Sequence, residues 1–170
     1  MLAGCGSGAG SAPAPTPSGA ETPTSETTSA YPPRTGPAKS LDVSDQCSLV
    51  KPDQATSLGA DQPQEPSQSS GKTGCDHLKG EAGGGFMVFV SADKSETMHK
   101  FADARTNVQV IDIGGYPAAQ IGDDTSCLLS VDVSDQGQLF FNTLVSDGQS
   151  VPCDLTKRFA EVALQNLPNA

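Results

Sequence analysis

The chain has no run of about twenty consecutive apolar residues, the length a helix needs to cross the hydrocarbon core of a membrane. Attachment to a bilayer would therefore have to come from something other than a spanning helix. Basic residues are scarce: ten Lys and Arg stand against twenty Asp and Glu, for a formal net charge of −10. Holding a phosphate backbone calls for clustered Lys and Arg, so nucleic acid is excluded as a partner class and the acidic excess is read as a solubilising surface. No two cysteines are spaced C-x-x-C, and of the two histidines only His77 lies close to a cysteine, two residues after Cys75. A zinc site needs a fuller ligand set than that. No metal and no cofactor are expected, and no nucleophile, base and oxyanion pattern marks a catalytic centre.

What the chain does have, at its start, is Leu2-Ala3-Gly4-Cys5, which reads as the end of a bacterial lipoprotein signal, with Cys5 as the lipidated residue. Only Met1 precedes it, so the charged and apolar regions of a signal peptide are expected upstream of a start placed too late or a chain that was trimmed. The competing account is a chance match on a cytosolic tail. The following segment favours the first: residues 6–40 are almost all Gly, Ser, Ala, Pro and Thr, with Glu21, Glu26, Arg34 and Lys39 the only charges. Such a composition cannot bury enough apolar surface to offset chain entropy and is predicted to be a flexible tether. The expected organisation is thus 1–5 signal remnant, 6–40 tether and 41–170 a single domain.

Setting Cys5 aside leaves Cys47, Cys75, Cys127 and Cys153, an even set, which is the arithmetic of two disulfides in an oxidising compartment. Four cysteines permit three pairings. The nested one, Cys47 with Cys153 and Cys75 with Cys127, is expected, because the first two each precede a helix and the second two lie on strand candidates.

Periodicity supplies the elements. A short helix is predicted over 48–58, stopped by Gly59, then a Gln/Pro/Ser-rich surface loop over 60–72. Strands are predicted at 75–79 and 86–90, with Gly83-Gly84-Gly85 turning between them, and a short amphipathic helix at 95–105. Residues 108–113 and 116–121 read as a hairpin about Gly114-Gly115, and 126–133 and 139–145 as neighbouring strands. The stripe Leu155, Phe159, Val162, Ala163 and Leu167 makes 154–167 an amphipathic helix lying on the sheet. The fold class is α+β: a largely antiparallel sheet packed with an N-terminal, a middle and a C-terminal helix.

Several patterns imitate sites. Gly4, Gly6, Gly8 and Gly10 mimic a nucleotide loop but lack the flanking strand and helix, so a linker is the better reading. Residues 132–137 look like a calcium loop without its spacing or its bidentate Glu. Asp123-Asp124 reads as solvated turn residues, and His77 beside Asp76 as an ordinary surface histidine.

The stretches Asp45-Gln46-Cys47-Ser48-Leu49-Val50, Gly115-Tyr116-Pro117-Ala118, the strand opened by Cys127, and Pro152-Cys153-Asp154-Leu155 through Asn166-Leu167-Pro168, taken in that order with the lipobox, resemble the actinobacterial lipoproteins of the domain-of-unknown-function 3558 family. Gln46 and Val151 depart from the residues usual before two of the cysteines, and Asp76-His77 replaces a common aromatic. The resemblance implies a lipid-anchored protein on the extracytoplasmic face of the cell membrane, with no established activity. The expected role is a non-catalytic binding or scaffolding domain. Its partner would be an envelope protein, lipid or glycan, met at the face between sheet and helices or at the 83–86 loop. The alternative is an enzyme acting on envelope polymers, which would bring residues such as Asp76, His77, Asp112 and Asp132 into one cleft.

Overall fold

The computed structural model describes Gly10 and residues 30–170. Seven strands form one antiparallel sheet: β1 (Glu65–Ser69), β2 (Lys72–Lys79), β3 (Phe86–Asp93), β4 (Gln109–Ile113), β5 (Tyr116–Gly122), β6 (Ser126–Ser134) and β7 (Gly137–Val145). Three helices, α1 (Pro52–Ser57), α2 (Met98–Asp103) and α3 (Pro152–Asn166), complete an α+β fold. The spatial order is β1-β2-β3-β7-β6-β5-β4. Two meanders, β1 to β3 and β4 to β7, therefore meet along the β3–β7 pair, and the segment carrying α2 crosses from the centre of the sheet to its far edge.

Alternation along the strands sends side chains to two cores. On one face Val88, Val90, Leu129, Val131, Leu139 and Phe141 pack against Leu155, Phe159, Ala160 and Ala163 of α3. On the other, Phe89, Ala119 and Phe140 receive Met98, Phe101 and Ala102 of α2. The helix is held at its start by Thr97, whose hydroxyl accepts from Lys100 N.

The N-terminal helix differs from its predicted 48–58 span. Pro52 pushes Lys51 into an extended conformation (φ −69°, ψ 157°), which divides the segment into a 3₁₀ turn at Gln46–Leu49 and α1. The expected loop over 60–72 contains β1, whose Gln, Pro and Ser content suits an edge strand and hides it from a periodicity reading. It turns into β2 through Ser70 and Gly71, both at positive φ (52° and 74°) as a two-residue hairpin requires.

Residues 30–40 fall within the expected tether, but they dock on the domain. Arg34 pairs with Asp132 at 2.6 Å and with Asp135. Thr35 N and Gly36 N donate to Gly115 O (2.9 and 3.1 Å), and Lys39 N donates to Val133 O (2.8 Å). Tyr116 Oη donates to Pro37 O at 2.7 Å over Gly36, where a Cβ would meet the tyrosine ring at 2.6 Å. Composition reports that such a segment has little to bury. It cannot report that neighbouring carbonyls satisfy its backbone.

The disulfides are Cys47–Cys75 and Cys127–Cys153, with Cα separations of 5.0 and 5.1 Å, which corrects the expected nested pairing. Two strands, β3 and β7, lie between β2 and β6. At about 4.8 Å per strand spacing, Cys75 and Cys127 are roughly 14 Å apart, beyond any disulfide's reach. Each bridge instead ties a strand to the element lying on it, the 3₁₀ turn on β2 and the first turn of α3 on β6. The two terminal helical segments still meet, through Asn166 Nδ2 donating to Leu49 O (2.9 Å) and Gln54 Oε1 (2.7 Å).

Peptide mapping of the unreduced protein is expected to recover Cys47 joined to Cys75 and Cys127 joined to Cys153. The Cys127→Ser/Cys153→Ser variant should lose about 3 kcal/mol in urea unfolding, since the closed loop spans 26 residues. Recovery of a Cys47–Cys153 peptide would refute the arrangement.

Candidate functional site

A concavity arises where β2 and β3 part. Their pairing runs from Lys79↔Phe86 to Cys75↔Val90, after which β2 continues with β1 alone while β3 stays on β7 to Asp93. Gly74 stands at the divergence, where a Cβ would come within 2.5 Å of the Phe89 ring. The freed polar groups find other partners: Ser91 Oγ donates to Thr73 O (2.6 Å) and Ala92 N donates to Gln46 Oε1 (2.8 Å). The result is an open groove of about 630 Å³ whose walls include Leu41, Val43, Thr73, Ala92 and Ser95, with Lys72 and Asp93 at its floor. Lys94 and Asp42 form an ion pair on its rim.

The floor is a charge cluster largely withdrawn from water. Lys72 and Asp93 are 8% and 7% exposed, and Gln138 and Ser130 are fully buried. Lys72 Nζ lies 2.8 Å from Asp93 and 3.2 Å from Glu96, with the Phe140 ring centroid 5.2 Å away. Gln138 Nε2 donates to Asp93 (2.9 Å) and Glu96 (3.3 Å), and its own Oε1 accepts from Ser130 Oγ. Ser95 donates to Asp93 through both its N (2.9 Å) and Oγ (2.6 Å). Arg105 donates to Glu96 at 3.3 Å and lies 3.8 Å over the Phe101 ring. Burial by itself would raise the Asp93 carboxyl, but hydrogen bonds from Lys72, Ser95 and Gln138 outweigh it and hold the group below its usual value. Glu96 is likewise lowered: burial opposes, and Arg105, Gln138 and Lys72 prevail. Two cations and two anions sum to zero, so the cluster fastens the start of α2 to the sheet without a net buried charge.

His77 is not the surface residue expected. It points from β2 into the α3-side core, is fully buried, and sits 5.5 Å from the Phe159 ring. Gln64 Nε2 lies 3.1 Å from its Nδ1, which places the ring proton on Nε2, and that atom has no hydrogen-bond partner among the described residues. Burial lowers its pKa from 6.5 to about 4.

The residues whose convergence would have indicated catalysis do not share a cleft. Asp76 alternates to the sheet face opposite His77, its carboxyl raised by burial against a hydrogen bond from Ser67. Asp112 accepts from Gly115 N in the β4–β5 turn, and Asp132 is held by Arg34. Asp123 accepts from Thr125 N and Ser126 N, both at 2.8 Å, and so serves to close its turn. The 83–86 loop is tied to the chain after β7, through Ser146 N donating to Gly85 O at 2.9 Å. Among the described residues no three His, Cys, Asp or Glu side chains are grouped to hold a metal ion. Cys5 lies outside the described residues. Lys72, Glu96 and Gln138 escaped the sequence reading. Gln138 alone carried a signal, as a polar residue sharing a strand face with Phe140.

A family model described as "Protein of unknown function (DUF3558)" matches residues 1–166. No curated protein and no solved structure matches the chain.

Two outcomes are expected. Because His77 folds with a pKa near 4 and unfolds with one near 6.5, the unfolded chain binds more protons between these values. Its contribution of up to about 3 kcal/mol is present above pH 6.5 and lost progressively as pH falls to 4. Denaturant unfolding across that window should show the slope, and His77→Leu should flatten it. Lys72→Ala should cost about 3–5 kcal/mol in the same assay at pH 7, by stranding Asp93 and Glu96 without their cation.

Proposed function

The chain belongs to the DUF3558 family, and from that premise we propose that it is a lipid-anchored cell-envelope protein whose folded domain serves as a non-catalytic binding module outside the membrane. Disulfides support the location. Both bridges join strand to overlying element, and such bonds persist in oxidising compartments. Cys5, followed by a Pro/Ser/Thr-rich segment, supplies the anchor, and its acyl chains contribute about 0.8 kcal/mol for each buried methylene.

The observation that carries the binding role is the groove between β2 and β3. Its floor charges are committed to one another and to Glu96 behind them, so Lys72 and Asp93 act as fixed dipoles rather than as a free acid, base or nucleophile. Its walls offer the hydroxyls of Ser44 and Thr73 beside the apolar side chains of Leu41, Val43 and Ala92. Hydroxyl-rich walls with an apolar strip suit an uncharged polyol, and an envelope glycan is the ligand of that chemistry.

The anchor is tested by expressing the chain behind a complete signal peptide. The protein should enter the detergent phase and Cys5→Ser should release it; equal partitioning of the two would reject the anchor. The groove is tested by titrating soluble cell-wall oligosaccharides against the labelled protein. Amide shifts should concentrate at 41–46, 71–73 and 91–95, and Thr73→Trp, at an exposed wall position, should abolish them while leaving the fold intact.

A further inference from the structure

The sheet ends in two strands that are defended differently. β1 carries Glu65 and Pro66, a charge and an imino acid of the kind that discourages edge-to-edge pairing. β4, Gln109-Val110-Ile111-Asp112-Ile113, has neither Lys nor Pro, and among the described residues it pairs with β5 alone. Its turn has two residues, Gly114 and Gly115, both at positive φ (61° and 91°). A hairpin of that kind makes Ile113 and Tyr116 a hydrogen-bonded pair, so Ile113, Ile111 and Gln109 direct their backbone groups to β5. Val108, Val110 and Asp112 direct theirs outward. The Val110 side chain is 43% exposed and among the few large apolar side chains left in water.

We infer that β4 is a self-association edge, on which a second copy of this chain adds its own β4 antiparallel about a two-fold axis beside Val110. The backbone groups specify the register. Val110 faces Val110 of the second copy, and Val108 faces its Asp112, so every outward N–H and C=O on the three residues of each copy finds a partner. The same register suits a chain with a formal net charge of −10. Asp112, the one charge on the strand, meets a valine, and the two aspartates stay about 13 Å apart, four residues along the strand. Its carboxylate is already occupied by Gly115 N at 3.0 Å. Such a contact is small and reversible in solution. The self-pairing stands independently of the groove and of the anchor.

Sedimentation equilibrium of the full chain, unlipidated, is the test. The wild type should show a reversible monomer–dimer equilibrium. Val110→Pro removes an outward N–H that serves no bond among the described residues, and Val110→Lys places a charge on the two-fold axis. Each should weaken dimerisation by roughly tenfold or more, since both copies lose a bond or gain a like charge. Thermal unfolding of the lysine variant, whose side chain is exposed, should match the wild type and so keeps the test valid if the proline variant fails to fold. A chain that stays monomeric to millimolar concentration overturns the proposal, as does a dimer indifferent to Val110→Lys. A monomer that captures extended peptides along β4 without pairing with itself overturns it as well.

Discussion

The fold depends on the pairing of β3 with β7, because it is the one seam where the two meanders join. Eight consecutive residue pairs, from Phe86↔Val145 to Asp93↔Gln138, close a loop across a separation of 45 residues whose entropy has to be offset by what forms along the seam. Both cores are built on it. Val88, Val90, Leu139 and Phe141 face α3, and Phe89 and Phe140 face α2. Its last pair, Asp93 with Gln138, is also the centre of the buried charge cluster, so the hydrogen bonds that end the seam are those that hold α2 in place.

The groove follows from the same constraint. β3 must remain in register with β7 to its end, whereas β2 is drawn away by its hairpin with β1, and the sheet opens between them. An open sheet exposes backbone donors and acceptors that must be satisfied. Gln46 and Ser91 do this, and the Cys47–Cys75 bridge fixes the segment bearing Gln46 against β2. The second bridge does the corresponding work for α3 over β6, while β3 and β7 between them are held by their hydrogen-bonded ladder and by packing on both faces.

Strong periodic segments were legible. The strands at 86–90, 116–121, 126–133 and 139–145, and the C-terminal helix, were each within a few residues of their observed bounds, because an apolar run, an alternating face, a Gly-Gly turn or a helical stripe marks each of them. Segments whose conformation is set by a neighbour were not. β1 is polar, so only its pairing with β2 makes it a strand. Residues 30–40 have the composition of a tether, yet their N–H groups meet carbonyls at Gly115, Val133 and Pro168. His77 sits in a strand reading beside Asp76, and nothing local indicates that Phe159, eighty-two residues later, would close over it.

The sequence by itself determined the fold class, the antiparallel character of the sheet, the participation of four cysteines in two disulfides and the family, since all of these follow from local periodicity, composition and the order of short motifs. Tertiary structure alone decided which cysteines pair, where the groove opens and which charges are buried together. Those outcomes depend on strand order. By placing β7 between β3 and β6, the fold separates Cys75 from Cys127 and brings Gln138 beside Asp93, forty-five residues away in the chain.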